Sequence, residues 1–570
     1  MDIEIIIDGK KIKADSNSTI LEVARKNDIE IPTLCYLKGI NEPASCRVCV
    51  VEVEGARNLV TACTTKIRPD MVVKTNTTKV IKARKTALEL LLSNHNKNCL
   101  NCPKNLKCDF QKLVEQFHCD TEKYAGATTE NHIDDTNHAI VRDMSKCILC
   151  GKCVSVCAKL QGCSAITKIN RGFETKVGSD FDKCMQESSC IGCGQCVLVC
   201  PTGALTQKND IPKVLDILEK TDVIRIAQVA PSVRVAIGEE FGGKIGEFAE
   251  GKMVTALKEI GFDYVFDVNM GADFTIVEEA QELIEHLKTN SKYPLFTSCC
   301  PGWFNYVQKN YPDMEKYLSS SKSPNEMLAS IIKYYFEEQG KKVEIVSVMP
   351  CTGKKREVFA HGVIDACITT RELGELIRLK GINFNKLADS KFDDPFGEYT
   401  GGALIFGVTG GVTEAALRYA VHKLTGKKRN IIEDVRNSKG VKEVEVDLGG
   451  RTIRLAIVHG LANAQRVIED IIAGEKHYDF VEVMACPGGC VNGGGQPYVD
   501  YNKISATEVA KKRAATIYKA DGDMKFKEAG ENKGVAKVYS ELFKGDHELI
   551  HKLLHYVHVD YDRVEESKDN

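Results

Sequence analysis

The chain of 570 residues lacks the features of membrane, secreted and nucleic-acid-binding proteins. No apolar run approaches the roughly 18 residues of a membrane span. The start, Met1-Asp2-Ile3-Glu4, has neither the basic nor the apolar segment of a secretory signal. The formal net charge of -2 gives no electrostatic footprint for nucleic acid. These absences predict a cytoplasmic protein that binds neither membrane nor nucleic acid.

A dinucleotide-binding fingerprint is also missing. The nearest candidate, Gly407-x2-Gly410-Gly411, does not have the GxGxxG spacing. Direct use of NAD(P)H or a flavin is therefore not expected without other subunits.

Cysteine, in contrast, is abundant, with 24 residues. In a long chain without a signal sequence, clustered cysteines indicate metal ligands rather than disulfides. Most of them lie in CxxC groups, where two thiolates reach one metal centre. A disulfide-rich or structural zinc protein is the alternative, and the spacings below argue against it.

Residues 1–80 read as a small β-rich domain. Alternating isoleucines precede an Asp8-Gly9 hairpin turn, and Thr19 with Glu22 forms a capping box before a short helix. The domain then carries C-x10-C-x2-C-x13-C, and a zinc ribbon would need a second CxxC knuckle. Three close thiols plus a distant fourth indicate a [2Fe–2S] cluster on Cys35, Cys46, Cys49 and Cys63. This spacing resembles the N-terminal domain of hydrogenases and of the large NADH dehydrogenase subunit, which implies a β-grasp fold.

Residues 81–125 begin as a helix and continue into H-x3-C-x2-C-x5-C. By spacing alone, one histidine and three cysteines suit zinc or a [4Fe–4S] cluster equally. The same order of ligand sets in the two families just named implies a [4Fe–4S] cluster on His95, Cys99, Cys102 and Cys108.

Residues 139–209 contain two C-x2-C-x2-C-x3-C runs, the pattern of a two-cluster ferredoxin in which the fourth cysteine of each run ligates the other cluster. The spacing predicts one [4Fe–4S] cluster on Cys147, Cys150, Cys153 and Cys200. It predicts a second on Cys190, Cys193, Cys196 and Cys157.

Residues 210–530 alternate apolar strand-like runs with helical patterns, which argues for an α/β domain. Strands are expected at 223–229, 343–348, 455–458 and 480–484, and helices at 253–260, 274–287, 327–335 and 415–423. Residues 531–570 read as a charged helical tail. The predicted fold class is a multidomain α+β and α/β protein: a β-grasp domain, a small helical cluster domain, a two-cluster ferredoxin-like domain and a large two-lobed α/β domain.

Three cysteine-bearing segments of the large domain lie just beyond strand-like runs, where α/β sheets build their sites. They are Thr297-Ser298-Cys299-Cys300-Pro301-Gly302-Trp303, Met349-Pro350-Cys351-Thr352-Gly353-Lys354 and the segment from Met484-Ala485-Cys486 through Cys490 to Gln496-Pro497. In this order they closely resemble the TSCCPxW, MPCxxK and MxCxxGCxxGGGQP signatures of [FeFe]-hydrogenases. With the cluster domains upstream, the resemblance spans essentially the whole chain and is to the long, monomeric, clostridial type.

The resemblance implies a reversible hydrogenase that reduces protons with electrons from reduced ferredoxin. Its H-cluster would consist of a [4Fe–4S] cubane on Cys300, Cys351, Cys486 and Cys490. Cys490 would also bridge to a two-iron subsite bearing CO, CN⁻ and azadithiolate. Lys354 would hydrogen-bond one cyanide. Pro231 and Ser232 would line the other, through the Ser232 backbone N–H or hydroxyl, and Met349 and Met484 would pack against the subsite.

The family resemblance also implies a proton relay of Cys299, Glu279, Ser319 and Glu282. Glu279 and Glu282 lie side by side at i,i+3 on the predicted helix. From the sequence alone they would be solvated glutamates, and Cys299 would be a packing residue. A thiol has an ordinary pKa of about 8.5, suited to passing protons near neutrality.

The chain departs from the clostridial pattern at two positions near the site. His286 stands where arginine is common near the relay exit, and Asn325 stands where glutamine is usual. In the tail His547, His551 and His555 recur at i,i+4; a polar or half-buried helix face is favoured over a metal site. Four further thiols, Cys119, Cys163, Cys184 and Cys367, match no ligand position.

The expected partners are a ferredoxin, with flavodoxin as the alternative, and hydrogenase maturation proteins; the chain is expected to be a monomer. Three rivals share parts of the pattern. An NADH dehydrogenase large subunit would lack the three late signatures. A catalytically inactive relative that serves cluster assembly or hydrogen sensing would lose Cys299 or alter these signatures. A subunit of an electron-bifurcating hydrogenase would differ in its partners.

Overall fold

A computed structural model describes residues 2–129, 132–289, 291–429, 432–436, 439–448 and 450–556 of the chain. No helix in these ranges is long and apolar enough to cross a membrane. The described residues form a mixed α/β protein of several parts, as the sequence predicts.

The N-terminal part is a five-stranded sheet with one helix against it. Its elements are β1 (Asp2–Ile7), β2 (Lys10–Asp15), α1 (Ile20–Lys26), β3 (Val50–Val53), β4 (Val60–Thr61) and β5 (Val72–Lys74), and the strand order is β2-β1-β5-β3-β4. Asp8 and Gly9 both take positive φ in the β1–β2 hairpin, as a tight turn requires. The Thr19 hydroxyl accepts from the Glu22 N–H at 3.2 Å, and the Glu22 carboxylate accepts from the Thr19 N–H at 2.9 Å. The predicted hairpin and capping box are confirmed.

The middle part is small and held together by loops. It contains α2 (Thr78–Leu92), α3 (Asp109–Gln116), β6 (Ile133–Asp134), β7 (Ile140–Asp143), α4 (Lys152–Lys159), β8 (Thr167–Ile169), β9 (Lys176–Gly178), α5 (Gln195–Val199) and β10 (Leu205–Gln207). Helices α4 and α5 each begin directly after a left-handed glycine, Gly151 or Gly194, at equivalent positions of the two cysteine runs. The two runs therefore share one local structure.

Two four-stranded sheets form the large part. The first is parallel, in the order β12-β11-β14-β15, and the second has the order β13-β18-β17-β16, with β16 alone antiparallel to its neighbour. Their strands are β11 (Ile224–Val229), β12 (Tyr264–Asp267), β13 (Leu295–Phe296), β14 (Val343–Met349), β15 (Ala366–Thr369), β16 (Val441–Asp447), β17 (Thr452–His459) and β18 (Phe480–Met484).

Helices cover these sheets and connect them. They are α6 (Ile211–Glu219), α7 (Glu250–Ile260), α8 (Val268–His286), α9 (Pro301–Asn310), α10 (Pro324–Glu337), α11 (Gly353–His361), α12 (Thr370–Leu379), α13 (Gly401–Leu404), α14 (Gly411–Thr425), α15 (Leu461–Ala473), α16 (Ala506–Asp523), α17 (Lys533–Lys537) and α18 (His547–Leu554). All four predicted strands and all four predicted helices of this region are confirmed.

Helix α8 begins six residues before its predicted start at 274, and a buried ion pair explains the extension. Asp267 caps the helix by accepting from the Asn269 N–H at 3.0 Å. The same carboxylate receives two hydrogen bonds, at 2.8 and 3.0 Å, from the fully buried Arg234. Because Arg234 follows β11 and Asp267 ends β12, the pair fixes the start of α8 against the ends of both strands.

The described part of the tail is helical, with α17 and α18, and it packs into the large part of the protein. Val535, Val538, Phe543, Leu553 and Leu554 belong to the same hydrophobic core as the first sheet. Helix α18 ends at Leu554, so His555 lies past the helix. The predicted tail residues 557–570 lie outside the described part of the chain.

Candidate active site

Four parallel strands end at one buried cavity. Each strand is followed by a residue that lines the cavity: Pro231 follows β11, Cys299 follows β13, Cys351 follows β14 and Cys486 follows β18. The cavity has a volume of about 80 Å³. The predicted site residues of the three signatures and of the Pro231 loop line this cavity together. They are Pro231, Ser232, Cys299, Cys300, Met349, Cys351, Lys354, Met484, Cys486 and Cys490. Asn325 lines the cavity as well.

The predicted cubane thiols Cys300, Cys351, Cys486 and Cys490 share this cavity far from bulk water. Burial raises the pKa of Cys351 to about 11 and raises that of Cys486 well above the ordinary value. A bare thiolate is therefore unfavourable here, and a bound metal is what makes such thiols lose their protons. The donor set and the closed, mainly apolar surroundings fit an iron–sulfur group.

A glycine pair positions the last of these thiols. Gly488 and Gly489 both take positive φ, 86° and 94°, immediately before Cys490. A Cβ on Gly489 would lie 2.6 Å from the Thr409 backbone nitrogen. Only glycine allows the chain to turn here and present Cys490 to the cavity.

Lys354 is a charged donor at the cavity wall. Burial alone would lower its pKa, but Glu357, whose Oε1 accepts from Nζ at 2.7 Å, outweighs this and raises it. A second Nζ contact goes to the Cys299 carbonyl oxygen at 3.3 Å. An ammonium group has three N–H donors, so one remains for a ligand in the cavity.

Ser232 and Asn325 have specific polar roles in the wall. The Ser232 hydroxyl donates to the Gly407 carbonyl at 3.3 Å, so this hydroxyl is already engaged within the protein. The Asn325 Oδ1 accepts from Gln228 and from Ser347, both at 2.7 Å. Asn325 therefore holds its place through two neighbouring strands of the first sheet.

The four predicted relay residues lie in sequence from the cavity outward. The buried thiol of Cys299 is close enough to Glu279 for the carboxylate to contribute to raising the thiol pKa, after burial itself. Glu279 is 1% exposed, and burial raises its pKa well above the ordinary value. Farther out, the Ser319 hydroxyl donates to Glu282 Oε2 at 2.5 Å. The structure therefore brings together the residues that the family resemblance selects, whereas sequence alone favoured solvated glutamates.

The accessory cysteines form the two cross-paired sets that the spacing predicts. Cys147, Cys150, Cys153 and Cys200 influence one another electrostatically. Cys157, Cys190, Cys193 and Cys196 line a second cavity of about 20 Å³. Cys163 also lines that cavity, which the sequence did not predict.

In the N-terminal [2Fe–2S] set, the structure brings predicted ligands together in pairs. The Sγ atoms of Cys49 and Cys63 lie 3.3 Å apart, and a hydrogen bond with Cys46 lowers the pKa of Cys35. In the other set, burial lowers the pKa of His95 to about 4, so its ring is neutral, the form that binds metals.

Nδ1 of His95 is buried with no hydrogen-bond partner in the described part of the chain. A buried unpaired nitrogen is costly, and a metal ligand role would satisfy it. No three His, Cys, Asp or Glu side chains among the described residues converge on a single-ion position.

Direct contacts join the second ferredoxin-like set to the large cavity. The Thr352 hydroxyl, one residue after Cys351, donates to the Gly192 carbonyl at 2.7 Å, and Arg356 donates to the Cys190 carbonyl at 3.2 Å. The sequence gives no signal for these contacts of Thr352 and Arg356, because their partners lie more than 150 positions away in the chain.

Fold and site together define a multi-centre iron–sulfur oxidoreductase. Residues 223–494 match the family model described as iron only hydrogenase large subunit, C-terminal domain. The flanking matches are 2Fe-2S iron-sulfur cluster binding domain (1–78), NADH-ubiquinone oxidoreductase-G iron-sulfur binding region (84–123), 4Fe-4S dicluster domain (146–204) and iron hydrogenase small subunit (507–560).

Relatives extend the match over nearly the whole chain. The NADP-reducing hydrogenase subunit HndD of Solidesulfovibrio fructosivorans is 43% identical over 97% of this chain and 98% of its own. Iron hydrogenase 1 of Clostridium pasteurianum is 39% identical over 97% of this chain and 99% of its own. A solved structure of an [FeFe]-hydrogenase from Chlamydomonas reinhardtii has a TM-score of 0.55 and 35% identity, and the match covers 62% of this chain and all of that one (100%). The chain belongs to the [FeFe]-hydrogenase family, whose enzymes interconvert protons and H₂.

Replacing Gly194 with alanine should slow electron delivery to the large cavity. A Cβ there would lie 2.3 Å from Thr352 Oγ1 and 3.0 Å from the Gly494 Cα, so the contact around Thr352 must shift. Gly172→Ala is the matched control, since its φ is also positive but nothing lies within 4 Å. Donor-driven hydrogen evolution should fall several-fold in Gly194→Ala only; equal rates in the two variants would contradict the contact's role.

Replacing Glu279 with glutamine should weaken the pH dependence of the free energy of unfolding. Because folding raises the pKa of Glu279, its carboxylate binds a proton more tightly in the folded state than in the unfolded state. This stabilisation is complete below the ordinary glutamate pKa of 4.5. As pH rises from there toward the pKa of the folded state, the free energy of unfolding falls by up to about 1.4 kcal/mol per pH unit. Glutamine has no such proton. Denaturation followed from acid to neutral pH should therefore diverge between wild type and variant, and Glu285→Gln, exposed on the same helix, should follow wild type.

Proposed function

We propose that this protein is a ferredoxin-dependent hydrogenase of the long type, which reduces protons to H₂ reversibly. The observation that carries the proposal is the single cavity that collects four cysteines, Lys354 and Cys299. The proposed cofactors are one [2Fe–2S] cluster, three accessory [4Fe–4S] clusters and the H-cluster, on the ligand sets predicted above. When bound, the H-cluster supplies the redox chemistry that interconverts protons, electrons and H₂.

Within this proposal, the chain's residues hold and orient that group. Cys300, Cys351, Cys486 and Cys490 would ligate the cubane, and Cys490 would join it to the two-iron subsite. Lys354 would donate its remaining N–H to an anionic ligand, and Ser232 would donate its backbone N–H. Met349 and Met484, each 2% exposed, would exclude water with Pro231.

Electrons would enter at the N-terminal sets and converge on the ferredoxin-like domain. The amide of Asn41 donates to the Cys35 carbonyl at 2.6 Å and to the Cys150 carbonyl at 3.0 Å, which connects the [2Fe–2S] set to the first ferredoxin-like set. On the other side, the Cys108 thiol contacts the Pro201 carbonyl at 3.3 Å. These contacts support two entry points with a common path through Cys190–Cys196 to the large cavity.

Protons would take a separate path, from Glu282 through Ser319 and Glu279 to Cys299. Burial raises the pKa of Glu279, which favours its protonated form, and Ser319 can pass a proton through its hydroxyl. We further propose a cytoplasmic monomer that requires hydrogenase maturation proteins to load the two-iron subsite.

A second candidate is a catalytic subunit of an NADP-reducing complex, which the name of the Solidesulfovibrio relative favours. The two differ in the electron donor rather than in the site. Flavodoxin remains an alternative donor.

The matured chain, purified alone, should evolve H₂ with reduced ferredoxin and not with NADPH. Cys299→Ala should remove most turnover, since proton transfer by a positioned group contributes roughly 100- to 10,000-fold, while iron content stays at the wild-type level. Cys367→Ala, a buried thiol outside the ligand sets, is the matched control. Activity with NADPH only after addition of flavin subunits would favour the second candidate, and full activity in Cys299→Ala would reject the relay.

A further inference from the structure

The route that ends at Glu282 continues to a histidine from the far end of the chain. Glu282 Oε1 accepts from the Ser320 backbone N–H at 3.1 Å and also from the Ser320 hydroxyl. The same hydroxyl lies 2.8 Å from His555 Nδ1. His555 Nδ1 and Glu282 Oε1 are 3.8 Å apart, so one serine hydroxyl bridges them.

The imidazole of His555 is held in place on its other sides. Its Nε2 lies 3.2 Å from Glu278 Oε2, and the second oxygen of Glu278 accepts from the Tyr539 hydroxyl. The ring stacks on His551 with centroids 5.2 Å apart. The His555 side chain is 11% exposed, whereas His551 is exposed. Glu282, whose side chain is 22% exposed, and the exposed Ser320 lie with His555 at the surface end of the route.

We propose that His555 is the outer proton-transfer residue of the relay and hands protons to Glu282 through Ser320. This inference rests on the proposed hydrogenase function. It assigns a role to a residue that sequence analysis placed only on a polar or half-buried helix face.

His286, which replaces the arginine common near the relay exit, is engaged elsewhere. Its Nε2 lies 3.0 Å from the Tyr293 carbonyl oxygen, at the end of α8. His286 thus contacts a backbone carbonyl. The histidine that contacts the relay is instead His555, which directly follows α18.

The transfer balances in charge and atoms. The imidazolium gives its Nδ1 proton to the Ser320 oxygen while the Ser320 hydroxyl gives its own proton to Glu282. Imidazolium and carboxylate become neutral imidazole and neutral acid, and solvent water returns one proton to the imidazole. Histidine suits this role because its charge changes between pH 5 and 8. Glu278 and Glu282 on α8, with His551 on α18 and Tyr539, are the titratable groups around the ring.

The test compares His555→Gln with His547→Gln in the matured full chain. His547 is exposed at the start of the same terminal helix α18 and serves as the control. We expect His555→Gln to lower kcat for hydrogen evolution about tenfold, less than the roughly 100-fold or more of an essential proton-transfer group, because water can substitute in part. KM for the electron donor should stay unchanged, and imidazole in the buffer should restore part of the rate to His555→Ala.

A spectroscopic measurement checks the same contact without turnover. Before the two-iron subsite is loaded, the infrared carboxyl band that Glu282→Gln removes should titrate at a different pH in His555→Gln than in wild type. An inactive wild-type protein would reject the proposed function itself. An active wild type with an equally fast His555→Gln variant, or a slow variant that imidazole does not restore, would reject the role of His555.

Discussion

Burial of four thiols at the ends of parallel strands is the constraint on which the rest of the large domain depends. A thiol without water or a partner resists ionisation, and at Cys351 and Cys486 burial raises the pKa accordingly. The same burial favours a metal group that takes the thiols as thiolates. The turns that bring the thiols together need glycine at Gly489 and the Arg234–Asp267 pair behind the first sheet.

In the proposed function, electrons and protons would approach this cavity from different elements. Thr352 and Arg356 attach the ferredoxin-like loops next to Cys351, whereas α8 carries Glu279 and Glu282 toward Cys299. Because α8 packs against both α10 and α14, its carboxylates are held between the two sheets. With separate paths, electron delivery would depend on the contacts of Thr352 and Arg356. Proton delivery would depend on the side chains carried by α8.

The proposed ligand sets come from the sequence, because coordination chemistry restricts the spacing of cysteines along the chain. The strands and helices of the large domain were predictable from apolar periodicity, although the capping by Asp267 moved the start of α8. The carboxylates on α8 were predictable as neighbours, but the burial of Glu279 was not, because it depends on segments distant in the chain.

Contacts between distant segments left no periodic signal. Ser320 and His555 are separated by 235 positions, and Thr352 and Gly192 by 160. The histidine spacing in the tail suggested one helix face, yet α18 ends before His555 and turns it toward Glu282. Such pairings depend on how the tail packs in the core of the first sheet, which no local pattern encodes.

Infrared spectroscopy of the matured protein tests the central claim most directly. If the cavity of Cys300, Cys351, Cys486 and Cys490 holds the H-cluster, the spectrum should contain CO and CN⁻ stretching bands, and Lys354→Met should shift a CN⁻ band by removing the donor. A matured protein with full iron–sulfur content but no CO or CN⁻ bands would contradict the assignment of this cavity as a hydrogenase active site.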